Sequence, residues 1–329
     1  MFAKFSLGNF REDRQIQIAI IFFAILAVMP LIAFQQSYLM WVIILTMFYA
    51  LLAISWNLLL GYTQLISFAH TGLLAMGGYF SVLFIKYTGF SPIIGLLVSA
   101  VLVTVAGFLL GCACLRLRGV YLALTTWGLS GAVQLILMAE YEITGGSTGL
   151  ETKFLLPITP FTAPQYYYYI ALALFATCAM TTYKLINSKY GLYLRAIGDD
   201  EEAAAACGVN IVKLRIFIFT ISSTWVGVAG AFYVHFLGYV SPALADFSIM
   251  ITIIASTILG GLGTFFGPIL GAFVMWPLSE VIRAYSASLQ MLVISLLILI
   301  SLKFFRNGFV GALSSLHRRI RQKWLHPKM

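Results

Sequence analysis

Few side chains in this sequence could do covalent chemistry, and none has the neighbours it would need. His70, His235, His317 and His326 are scattered without metal-ligand spacing, and no nucleophile lies beside a plausible base. Cys112 and Cys114 form a C-x-C pair with no nearby histidine or further cysteine, so packing rather than metal binding is expected of them, as of Cys178 and Cys207. A phosphate-cradling loop requires G-x-x-x-x-G-K-[ST], and no Gly-Lys dipeptide occurs. No enzyme, resident cofactor or metal is therefore expected, and any ATP and its Mg would have to be handled by another chain. Glu280 is nearly the only carboxylate inside an apolar run, which argues against an intramembrane proton relay.

What the polar residues can do is noncovalent. Four of the eleven acidic residues fall together at Asp199, Asp200, Glu201 and Glu202, followed by Ala203–Ala206 and Gly208. Asp199 is the expected N-cap with Glu202 as a box-like partner three residues on. The acidic first turn suits the helix dipole, alanines are the best helix formers, and Gly208 suits the position just past the end. A helix over 199–207 is predicted, about 13 Å long, with nothing in the chain to bury it. Such a helix can dock into a groove on a partner, or it can be a solvated loop helix.

A second set lies in two glycine-rich interruptions about 190 residues apart, 61–72 and 260–271. Gln64, Ser67, His70 and Thr71 give the first a polar content, while Gly260, Gly261 and Gly263 dominate the second. Broken segments at corresponding positions in two halves point to a transporter's solute path; close packing through small residues is the other reading. Thr125 and Thr126, after Gly119, are further path candidates, unless they merely back-bond to their own helix.

These residues have to be positioned by membrane helices. The chain has 329 residues, 61% hydrophobic and 9% charged, with a mean hydropathy of +0.97, against about 25% charged in soluble domains. Apolar runs such as Ile16–Phe34 are continuous, unlike the alternating strands of a barrel. The sequence therefore predicts an all-α polytopic transmembrane bundle with broken helices and ten spans. They run over 16–34, 38–60, 71–88, 92–115, 120–139, 165–183, 214–237, 247–260, 266–282 and 289–305. With both termini cytoplasmic, 17 of the 20 Lys and Arg lie inside and only Lys86, Lys153 and Arg283 outside, as the positive-inside rule requires. The net charge of +9 thus orients the chain and does not call for nucleic acid. Ile16–Phe34 reads as a retained first helix rather than a cleaved signal.

No separate soluble domain is expected, so residues 1–329 form one permease domain. Its longest polar intervals are an outer loop 140–164, an inner loop 184–213 and a basic tail 306–329. Tyr166–Tyr169 would sit in an interfacial aromatic belt.

In order along the chain, Gly61–Tyr79, Arg116–Thr126, Thr144–Leu150, Gly191–Gly208, Gly238–Pro242 and Gly260–Gly271 resemble the LivM-type permeases of branched-chain amino acid ABC importers, over most of residues 40–285. The resemblance implies one of two homologous permease chains, the other LivH-like, with two cytoplasmic ATPases and an external solute-binding protein, in a bacterial or archaeal inner membrane. It implies that the loop around the Glu-Ala-Ala core couples to an ATPase, with Gly191, Arg195, Asp199, Glu201, Glu202, Ala203, Ala204 and Gly208 as the residues concerned. Expected cargo is a branched-chain or hydrophobic amino acid; relatives also handle urea and short amides, and an ion-coupled carrier is the rival class. Two departures bear on the cargo. Thr63-Gln-Leu-Ile-Ser67 replaces the usual Gly-Gln-Leu-Ser, and Trp127–Gly131 stands where many members carry an acidic residue.

Overall fold

The computed structural model describes residues 3–32, 37–114, 117 and 119–304; Arg116, Arg118, His317, His326 and the basic tail 306–329 lie outside them. The helices are α1 (Ala3–Ile32), α2 (Ser37–Thr63), α3 (His70–Thr88), α4 (Pro92–Cys114), α5 (Val120–Ala139), α6 (Tyr141–Thr144), α7 (Pro164–Ile186), α8 (Lys189–Asp199), α9 (Glu201–Ala206), α10 (Ile211–Leu237), α11 (Phe247–Gly260), α12 (Phe266–Tyr285) and α13 (Ala287–Phe304). Each of the ten expected spans coincides with one of these helices. Five of them, α2, α4, α5, α7 and α10, are long and apolar enough to cross a membrane by length and composition. At 14 residues, α11 is only about 21 Å long, short of a hydrocarbon core of about 30 Å.

The bundle is inside-out relative to a water-soluble one. Leu97, Val101, Val105, Phe108 and Leu109 are exposed along α4, where a soluble helix would carry its polar face. By contrast α2 is buried nearly all round from Ile44 to Leu59 and forms the core with α10, which packs on α2, α3 and α4. Lipid tails give apolar side chains no reason to leave them, so contacts between such helices rest on small residues and on hydrogen bonds. Ser99 on α4 donates to Gly77 O on α3 at 2.8 Å and lies 3.1 Å from Gly227 O on α10, tying three helices at one point. A Cβ added at Gly77 would meet Gly227 O at 2.6 Å, and one at Gly230 would collide with Leu74 O.

Loops collect at two ends. At one, the outer loop folds back on α10: β1 (Leu150–Glu151) pairs antiparallel with β2 (Tyr239–Val240). His235 is packed, with Nε2 2.8 Å from Ser81 Oγ and Nδ1 2.8 Å from Lys153 O. The tyrosine run divides between interior and surface. Tyr167 and Tyr168 are fully buried, their hydroxyls donating to Ile158 O and Leu26 O, and only Tyr166 and Tyr169 face outward. Two adjacent rings fit within one buried helix face at a 100° step, while the rings before and after them turn outward, a split that a run of four identical residues conceals. The other end carries residues 187–210. All four cysteines are free, two of them, Cys114 and Cys178, buried as packing residues.

Gly230→Val should abolish a monodisperse species on size exclusion in detergent or lower its thermal unfolding midpoint sharply, because the opposing atom is backbone. Gly128→Ala, on an α5 position with open space around it, should leave both unchanged.

Candidate functional site

The two breaks meet. The bridging group is Asn57, one turn before Gly61 on the buried α2: its Oδ1 accepts from Gly263 N–H and its Nδ2 donates to Thr264 O, both at 3.0 Å. The glycines make the approach possible. A Cβ at Gly61 would stand 2.5 Å from Gly263 N, and Gly261 and Gly263 hold φ of 122° and 68°, where L side chains are strained. Thr264 caps the turn, donating to Gly261 O and accepting from Gly267 N–H. Gly260 backs directly onto Gly267 O with no room for a side chain.

The first break, 64–69, is satisfied from outside itself as well. Trp56 Nε1 donates to Ser67 O at 2.8 Å, Phe68 N–H donates to Thr126 Oγ1 at 2.9 Å, and Ser130 Oγ donates to Phe68 O at 2.9 Å while accepting from Gly72 N–H. Ser67, His70, Thr71 and Thr126 are all buried. Ser222 on α10 donates to Ser55 O, so His70 Nε2, 3.1 Å from the same hydroxyl, is the donor of that pair. Gln64 is the one non-glycine residue with positive φ among those described, at 53°, and its Nε2 donates to Gly198 O.

Gly198 belongs to the acidic loop, which the structure redraws. The sequence placed the cap at Asp199 and one exposed helix over 199–207; instead Asp199 closes α8, and α9 spans only Glu201–Ala206. The cap is Asp200, extended at φ −156°, whose Oδ1 accepts from Glu202 N–H at 2.9 Å and Ala203 N–H at 3.0 Å. With the cap shifted by one, the residue three on is Ala203, so Glu202 forms no capping box. Both aspartates could cap; Asp200 does because Asp199 is still held in the preceding helix. Gly208 fills its expected role at φ 83°, with its N–H on Ala205 O and that of Val209 on Ala204 O, the paired bonds of a Schellman ending.

The loop is not detached. Gly191, Leu194, Ile197 and Ala204 are buried, and α8 packs on α2 and α7. Gly191 lies hard against Ile186 O, to which Arg195 Nη2 also donates at 3.3 Å. Glu201 takes both guanidinium nitrogens of Arg215 at 3.1 and 3.0 Å, in the fork geometry that makes such pairs strong. Arg215, at the start of α10, is 7% exposed. A cleft of 170 Å³ between the loop and the first break is lined by Gln64, Gly119, Gly198, Asp199, Glu201 and Arg215.

The first break, the second break, the acidic loop and Thr126 therefore converge at one end of the bundle. Both threonines back-bond to their own helix, Thr126 to Leu122 O at 2.8 Å and Thr125 to Tyr121 O, but Thr125 is exposed and does not join the others. Asn57, Ser130 and Ser222 were missed by sequence reasoning. An amide inside an apolar helix, one turn from a glycine, was the available signal for Asn57.

Residues 38–302 match the family model described as branched-chain amino acid transport system / permease component. Over 285 residues the chain is 29% identical to the high-affinity branched-chain amino acid transport system permease protein LivM of Escherichia coli (strain K12), covering 78% of this chain and 66% of that one. It is 34% identical over 126 residues to the fructose import permease protein FrcC of Rhizobium meliloti, 36% of this chain and 35% of that one. It is 33% identical over 104 residues to the probable branched-chain amino acid transport permease protein LivH of Methanocaldococcus jannaschii, 32% of each. The chain thus spans 66% of the length of LivM, just under two thirds. No solved structure matches it.

Asn57→Leu leaves one donor and one acceptor of the second break unpaired and should cost on the order of 1–3 kcal/mol per group. A lower thermal midpoint, with lost solute uptake in a variant that still folds, is the expected result; Asn57→Asp should restore neither, since it keeps only the acceptor.

Proposed function

The chain belongs to the family of branched-chain amino acid transport system permease components, and on that footing we propose that it is the permease subunit of an ATP-driven importer, moving a branched-chain or other hydrophobic amino acid. It acts as one half of the path, beside a homologous LivH-like permease chain, in the cytoplasmic (inner) membrane of a bacterium or archaeon. Two ATPase chains sit under the 187–210 end and hold the ATP and Mg; a solute-binding protein delivers cargo at the 140–164 end. Ten spans with both termini cytoplasmic are part of this reading, supported by the charge sorting and by the distribution of loops between two ends. Lys184, Lys189, Arg195, Lys213 and Arg215 belong to the 187–210 end, while Lys153 and Arg283 lie at the other.

The observation that carries this reading is the convergence of both helix breaks on the capped loop. α9 turns Glu202, Ala203 and Ala206 outward, and Leu192 and Tyr193 of α8 are also exposed, as a small ridge with one charge for a groove on the ATPase. Behind that ridge, Glu201–Arg215 and Gln64–Gly198 connect it to α10 and to the first break. Gln64, Ser67, His70, Thr71, Thr126, Gly260, Gly261 and Gly263 act as a gate at this cytoplasmic end. A gate at the end that meets the ATPases needs no proton relay. Consistent with that, Glu280 sits near the far end of α12, 3.9 Å from Arg283, away from the breaks. The fructose named for one relative makes a neutral sugar the cargo to test against, with urea and short amides beside it.

Glu202→Lys should cut ATP-dependent leucine uptake at least tenfold in proteoliposomes holding the whole complex, while ATP hydrolysis persists. Normal uptake in that variant would sink the docking role. Glu201 is the wrong residue for this test, because lysine there would face the buried Arg215 and disturb the fold. In the same vesicles, uptake driven by a sodium or proton gradient without ATP would reject the importer.

A further inference from the structure

At the end of the bundle away from α9, a cavity of 580 Å³ opens between α2, α10, α11, α12 and α13, within the range that takes small ligands, about 300–1,000 Å³. Its lining carries two opposite charges. Asp246 caps α11, accepting from Ser248 N–H through Oδ1 at 2.7 Å, and makes no ion pair among the described residues. Among the described residues Arg283 pairs only with Glu280, at a loose 3.9 Å, and its side chain is largely exposed. Asp246 and Arg283 both line the cavity, and no ion pair joins them among the described residues. The cavity also has an aromatic bed, Tyr49 stacked on Trp276 with centroids 4.1 Å apart and planes 18° apart. Trp276 is buried, and its indole N–H has no hydrogen-bond partner among the described residues. Ile251 and Ile294 add an aliphatic wall.

We propose that this cavity is a weak receiving station for an aliphatic α-amino acid, with Asp246 taking the ammonium, Arg283 the carboxylate, and the Tyr49–Trp276 bed with Ile251 and Ile294 the side chain. A neutral sugar would leave both charges unused, and an ion of one sign would meet repulsion from one of them. A zwitterion answers both, presenting one charge to each. The station rests on the amino-acid reading above, but it lies in a different part of the fold from the gate.

The test uses the full chain in lipid nanodiscs, read by tryptophan fluorescence, with L-leucine, 4-methylpentanoate (leucine without its ammonium) and 3-methylbutylamine (leucine without its carboxylate). Leucine should give a saturable signal at a concentration at least tenfold below either analogue. Asp246→Asn, which keeps the helix cap because asparagine caps as well as aspartate, should erase the advantage over 4-methylpentanoate. Arg283→Gln should erase the advantage over the amine, and because its pair with Glu280 is exposed, its thermal midpoint should stay near that of the wild type. Analogues binding as well as leucine, or variants behaving as wild type, would overturn the station. Uptake by the whole complex separates the two readings. ATP-driven leucine uptake that both variants leave unchanged overturns the station alone. Charge-dependent leucine binding with no amino-acid uptake supports the station and overturns the proposed cargo. Uptake of fructose in place of leucine, with no leucine binding, overturns both.

Discussion

A helix that breaks inside a membrane protein exposes amide and carbonyl groups that lipid cannot satisfy, so each must find a partner within the chain. That requirement organises this molecule. Ser67 O, Phe68 N–H, Phe68 O and Gly72 N–H are met by Trp56, Thr126 and Ser130, and Gly263 N–H and Thr264 O by Asn57. Because the partners come from α2 and α5, the breaks are fixed in space by their neighbours and not left as loose loops. The nearly complete burial of α2 follows from the same demand: the helix that supplies Trp56 and Asn57 has to lie between both breaks.

Close backbone contact is the second consequence. Apolar surface earns little by leaving lipid, so α3, α4 and α10 approach until carbonyls come within reach of a serine hydroxyl, as at Ser99. Such contacts tolerate only glycine at Gly77, Gly227 and Gly230. Polar residues that look isolated in the sequence, among them Ser222 and His70, turn out to be paired across helices in the same interior.

What could be read from the sequence were the features with local causes. Helix positions came from apolar length, the two breaks from clustered glycine, and the ending at Gly208 from its conformational freedom. Partners far along the chain were not legible. Asp199 and Asp200 are equivalent as caps until α8 claims the first. Arg215 reads as one more basic residue of an inner loop, yet folding buries it against Glu201. Asn57 is separated from Gly263 and Thr264 by about 200 residues, and no spacing rule spans that interval. Thr125 and Thr126 differ only in which side of α5 they occupy, a distinction set by where α3 packs.

The two attachments of the acidic loop have a mechanical meaning. Glu201 is pinned to the root of α10, and Gly198 to the tail of α2 through Gln64. Two struts reaching different columns make a triangulated frame, which resists shear where a single tether would pivot. A displacement of α9 would therefore be shared by both columns, and the stiffness of that frame, more than the six-residue helix itself, sets how much of it reaches the breaks.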